Sequence, residues 1–174
     1  MGDMRPLLHI YLDDHFAGAA AGVALAGRIA RENAGTGWHA TLLSIARDIE
    51  SDERTLAELR SRLDAQGGRA KRVFARVGEW MARVKPNGRI LGYSPLSRLL
   101  EVEALIAGVA GKHRLWAALE QSGSTAAAMP ELDLGAMLTR AEHQLDLLGT
   151  FHRQAAEVAL GGRSATDMHP DAVR

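Results

Sequence analysis

The fold class this sequence predicts is all-α, a four-helix bundle with one additional short helix. Three observations carry that prediction. Four long stretches repeat apolar residues at the 3-4 spacing of a helix face. Glycine, proline and small polar residues mark the breaks between them. No stretch alternates apolar and polar residues as a half-buried strand would. With 174 residues, 47% hydrophobic and 24% charged, the chain is long enough to bury one core without staples. Residues 1–162 read as a single helical domain and 163–174 as a flexible C-terminal tail.

The first helix runs from Pro6 to about Asn33, with Leu8, Tyr11, Leu12, Ala19, Gly22, Val23, Ala26 and Ile29 inward and His15 at the middle of that face. Gly18-x-x-x-Gly22, set among alanines, weakens a helix by roughly 1 kcal/mol per glycine. It predicts a close helix–helix approach; the other reading is a cofactor lying against bare backbone.

Asn33-Ala-Gly-Thr-Gly37 is a turn, so the second helix, Trp38 to Ala65, returns antiparallel and stops at Gly67-Gly68. Leu42, Ile45, Ile49, Leu56, Leu59 and Leu63 keep a 3-4 rhythm whose missing member is Asp52, with Glu53 beside it. Between Arg69 and Tyr93, the residues Val73, Phe74, Val77, Trp80, Met81 and Val84 predict a shorter amphipathic helix over 70–84. Its other side is basic, with Arg69, Lys71, Arg72, Arg76, Arg83 and Lys85, and is read as a solvated face, the weaker reading being a surface for nucleic acid, membrane or another anionic polymer.

The third helix spans Ser94 to Gln121. Ser94 caps it, Pro95 takes the first position, where its missing N–H costs nothing, and Gly123 stops it. It carries two apolar stripes. One holds Leu96, Leu99, Leu100, Ile106, Ala107, Ala110, Ala117 and Ala118, with Glu103 at its centre; the other holds Val102, Leu105, Val109 and Trp116. Two stripes imply cover on two sides, and the excess apolar surface predicts a homodimer. The last helix starts near Asp133 and ends at Leu160 before Gly161-Gly162, with Leu138, Ala141, Leu148 and Phe151 inward and His152 centred on that face.

Composition removes several function classes. The formal net charge is zero, giving no global attraction to nucleic acid, and no run is apolar enough to cross a membrane. The chain has no cysteine, so thiol catalysis and thiolate metal sites are out. A cytoplasmic protein is the expectation, and no small-molecule ligand is named by any motif.

Each helix brings an ionisable side chain to its expected inner face: His15, Asp52 or Glu53, Glu103, and His152. Counted from the turns, each hairpin sets one histidine and one carboxylate at matching height. Were the segment after Gly68 to return locally, all four would form one layer suited to iron, manganese or zinc. Were it to travel the bundle, the third helix would run parallel to the second and the pairs would separate. Hydrogen-bonded His–carboxylate pairs can also be purely structural, fixing helix register.

The segments Tyr11-Leu-Asp-Asp-His15, Asp48-Ile-Glu-Ser-Asp-Glu53, Leu99-Leu-Glu-Val-Glu103 and Ala141-Glu-His-Gln-Leu-Asp146 give the chain a resemblance to the ferritin-like superfamily over about residues 6–160. That resemblance implies a crossover helix and a third helix parallel to the second. In ferritin-like di-iron proteins two helices give one Glu each and two give Glu-x-x-His. Here Glu103 matches a single-Glu position, and no Glu-x-x-His occurs: Glu50 meets Glu53 at i+3, and Glu142 meets Leu145. The resemblance thus implies a member without an intact ferroxidase, non-catalytic, with His15–Asp52 or Glu53 and Glu103–His152 as two structural pairs. The alternative is a metal-binding, redox-active bundle using His15, Asp52, Glu53, Glu103 and His152.

Overall fold

The computed structural model describes residues 5–67 and 93–171, and among them the chain folds into long helices with no strand. They are α1 (Arg5–Glu32), α2 (His39–Gly67), α3 (Pro95–Ser122) and α4 (Leu134–Leu160), followed by a 3-10 turn at Ala165–Asp167. The short helix expected over 70–84, with Phe74, Val77 and Trp80, lies outside the described residues.

The ends form where the side chains can satisfy free backbone groups. Ser94 Oγ accepts from the Ser97 amide at 3.0 Å, and Asp133 Oδ1 accepts from the Ala136 amide at 2.9 Å. Gly123 closes α3 at φ 59°, a left-handed conformation that favours glycine, and its amide donates to the Leu119 and Glu120 carbonyls. In the α1–α2 turn the buried Asn33 donates through Nδ2 to the Ile29 carbonyl at 2.8 Å.

Cross-helix contacts set the directions. Arg60 of α2 reaches back to Asp13 of α1, and His113 of α3 meets Glu142 of α4, so both hairpins are antiparallel. The end of α1 meets the start of α3 through Arg28–Glu101 and Asn33–Arg98, while Leu12 packs in the same cluster as Trp116 and Leu119. Hence α1 and α3 are antiparallel, and α2 and α3 are parallel. A 28-residue helix is about 42 Å long, so α2 ends far from where α3 begins.

Among the described residues the core has two apolar clusters. One gathers Ile29, Trp38, Leu42, Val102, Leu148 and Phe151; the other gathers Leu12, Leu56, Leu59, Leu115, Trp116 and Met137. Trp38 and Phe151 meet edge to face with ring centres 5.3 Å apart.

Three expectations are corrected here. On α3 the stripe of Val102, Leu105, Val109 and Trp116 faces the core, while Leu96 and Leu100 are 53% and 54% exposed and Glu103 is exposed with them. The branched and aromatic stripe buries more apolar area than the alanine-rich one, which decides the rotation of the helix. On α1 the two glycines are not the point of close approach: among the described residues a Cβ added at Gly18 or Gly22 would meet nothing within 4 Å, whereas Ala26 and Ala30 are buried in the core. The described part of the tail does not fray. Met168 is fully buried, its carbonyl accepts from the Gly37 amide at 3.0 Å, and Gln154 bridges the Trp38 indole (2.9 Å) to the His169 carbonyl (2.8 Å).

Candidate functional site

Between the two apolar clusters the bundle carries a polar layer. Asp52 of α2 is 2% exposed. Lys112 of α3 donates to Asp52 Oδ2 and, at 2.6 Å, to Gln144 Oε1 of α4. Arg140, one turn before Gln144, places Nη2 3.2 Å from Asp52 Oδ1. Burial lowers the Lys112 ammonium from its usual range, and the Asp52 charge pulls it partly back. A carboxylate this deep needs a compensating cation, and two are supplied from the opposite hairpin. Satisfaction is incomplete among the described residues: Asp52 Oδ1 meets Arg140 as an ion pair without a hydrogen bond, and Arg140 Nε, Gln144 Nε2 and the nearby Trp116 Nε1 are buried without hydrogen-bond partners there.

The fourth helix of the layer, α1, contributes His15 and a row of small residues. His15 is half-buried, edge-on to Tyr11 with ring centres 4.6 Å apart. Burial pushes its imidazole down, and Asp14 beside it pulls it partly up. The ring forms no hydrogen bond or ion pair among the described residues, so the expected His15–Asp52 or His15–Glu53 pair is absent there. Asp52 is engaged by Lys112 instead. Arg114, which lies in the same stretch of α3, is exposed and takes no part.

Glu103 and His152 do meet, with Oε1 and Nε2 3.1 Å apart, but on the outer flank of the α3–α4 hairpin. Their side chains are 48% and 34% exposed, so this is a surface rung, set apart from the Asp52 layer. The inner positions of α4 next to His152 are Phe151, Gln154 and Ala155. Among the described residues, no three His, Asp or Glu side chains form a group that could hold a metal ion. The donor set around Asp52 also fits a divalent cation poorly, since that ion would stand against Lys112 and Arg140.

Alongside the layer, a half-open cleft of about 460 Å³ runs between α1 and α3, with α2 as its floor. Stepping turn by turn from the Arg28–Glu101 contact, Leu25 comes level with Ala104, Gly22 with Gly108 and Gly18 with Gly111; all six line the cleft. Among the described residues a Cβ added at any of these four glycines would meet nothing within 4 Å. Facing glycines have therefore opened a slot where two helices would otherwise interdigitate. His15, Glu53 and Asp14 stand at it from α1 and α2, and Lys112 from α3.

A second polar cluster clamps the end of α1 to the start of α3. Arg98, 6% exposed, donates from Nε to Asn33 Oδ1 at 2.6 Å and lies over the Tyr93 ring, 5.2 Å from its centre. Arg28 holds Glu101 at 3.1 Å, although burial still leaves that carboxyl above its ordinary value. Burial and the Glu101 charge raise the Tyr93 hydroxyl well above its usual range.

Comparison with known proteins adds no relative: no family model, no curated protein and no solved structure matches the chain. No described helix is long and apolar enough to cross a membrane.

Proposed function

We propose that the chain is a non-catalytic bundle of ferritin-like type in which cationic side chains stand in for metal, and that it acts through binding and assembly. One observation carries the reading: Asp52, the one buried carboxylate among the described residues, is held by Lys112 and Arg140. Ferritin-like di-iron proteins project carboxylates and histidines inward to share metal ions. Here an ammonium group has the same neutralising role. The parallel course of α2 and α3 agrees with this reading, which includes a crossover helix at 70–84 between them.

Self-association as a homodimer belongs to the same proposal. Leu7, Ile10, Leu96 and Leu100 are all more than half exposed, an excess of apolar surface suited to a second copy. Light scattering at micromolar concentration would then give twice 18.7 kDa; a mass of one chain would remove that part of the proposal.

Metal analysis tests the rest. Protein expressed in medium supplemented with iron, manganese and zinc, then purified, should carry none of them stoichiometrically. One firmly held metal per chain would transfer the reading to the metal-binding, redox-active alternative.

A further inference from the structure

The cleft between α1 and α3 has the size, lining and polarity of a small-molecule site. Its volume of about 460 Å³ lies within the range of about 300–1,000 Å³ usual for such sites. Most of its surface is apolar, formed by alanines, leucines and the bare backbone of Gly18, Gly22, Gly108 and Gly111. Bare backbone on both sides leaves a slot that a flat or slender apolar body fills without displacing any side chain.

The polar groups at the slot decide what else the occupant carries. Lys112, the one Lys or Arg lining the slot among the described residues, already donates to Asp52 and Gln144 and so has its partners. Glu53 and the His15 ring form no hydrogen bond or ion pair among the described residues, and Asp14 stands exposed next to His15. His15 is held toward its neutral form by burial, so it offers an acceptor without repelling a cation. The groups left open are thus two carboxylates, which only accept, and a neutral imidazole, which accepts at one ring nitrogen, and the complement of the two negative charges is a charged donor.

We propose that this cleft binds a small, largely apolar molecule bearing one ammonium group, its body against the facing glycines and its ammonium at Glu53, Asp14 and His15. The site rests on the binding role proposed above and gives it a ligand class.

Isothermal titration of the full-length protein with three probes of one shape tests this: 1-naphthylmethylamine, 1-naphthalenemethanol and 1-naphthoic acid. The amine should bind about tenfold more tightly than the alcohol, the worth of one charge-assisted hydrogen bond. The acid should bind worst. Glu53→Gln should bring the amine down to the level of the alcohol and leave the alcohol unchanged. Gly108→Leu should weaken both amine and alcohol at least about tenfold; Gly22→Ala with Gly108→Ala makes the same test should the leucine variant not fold. Equal binding of amine and alcohol, a preference for the acid, no binding of any probe up to about 1 mM, or unchanged binding in the glycine variants would each overturn the proposal. A metal-free protein that binds no amine would sink this site alone, whereas a stoichiometric metal would sink the reading beneath it.

Discussion

Lys112 of α3 donates to Asp52 of α2, a carboxylate 2% exposed and 60 residues away in the chain. The contact joins the two hairpins at mid-height, between the two apolar clusters. It makes the centre of the bundle cationic as well as anionic, which is a different chemistry from a cluster of open carboxylates and histidines. Gln144 and Arg140 complete the set from α4.

His15 gives the protein an acid-side pH dependence. Burial lowers its folded-state pKa below the ordinary value of about 6.5, so the unfolded chain takes up the proton first. Stability from this group is therefore complete at neutral pH and declines as pH falls through 6.5 toward the folded pKa. Glu101, raised by burial, acts in the opposite sense but in the more acid range of carboxylates. Urea denaturation at pH 7.5 and 5.5 should show wild type losing more stability than His15→Gln across that step. Equal losses would remove His15 from the account.

Gly37 is where the tail meets the α1–α2 turn. A Cβ there would run into the His169 ring and stand 3.0 Å from the Met168 carbonyl oxygen. Gly37→Ala should therefore cost about 1–3 kcal/mol by overpacking and should loosen Met168 from the core. Thermal melts and limited proteolysis near residue 168 would register both. An unchanged melting temperature with an unchanged cleavage pattern would show the tail is not held as described.

The surface rung Glu103–His152 should matter little. With side chains 48% and 34% exposed, Glu103→Gln and Glu103→Ala should both stay within about 1 kcal/mol of wild type. A loss of several kcal/mol on Glu103→Ala, measured by chemical denaturation, would mean that this carboxylate is buried after all.

Much of the fold was legible because its signals are local. The caps at Ser94 and Asp133, the Gly123 stop and the 3-4 rhythms all place helix ends within a few residues of where they fall. The rotation of α3 was not legible, since both of its stripes are apolar and only the neighbours decide which one is buried. The polar layer was half legible. Asp52 interrupts the series Leu42, Ile45, Ile49, Leu56, and the sequence reading finds that interruption. Lys112 interrupts Val102, Leu105, Val109, Trp116 in the same way, and Gln144 interrupts Met137, Ala141, Leu148, Phe151. Those two breaks carry no weight in the sequence as long as Glu103 on the alanine-rich stripe of α3 is placed inward, because Lys112 and the core-facing stripe then fall on the other side. Facing glycines on α1 and α3 could not be paired before the register of the two helices was known.

The Lys112–Asp52 contact is the centre of the account, and a double-mutant cycle on it is the most direct test. Asp52→Asn and Lys112→Met each leave the other charge with less compensation in a mostly buried layer, and each should destabilise by about 3–5 kcal/mol. The double variant should lose less than the two together, with a coupling of about 1–3 kcal/mol in urea denaturation. Costs that simply add, within about 0.5 kcal/mol, would contradict the claim that this pair holds the centre of the bundle.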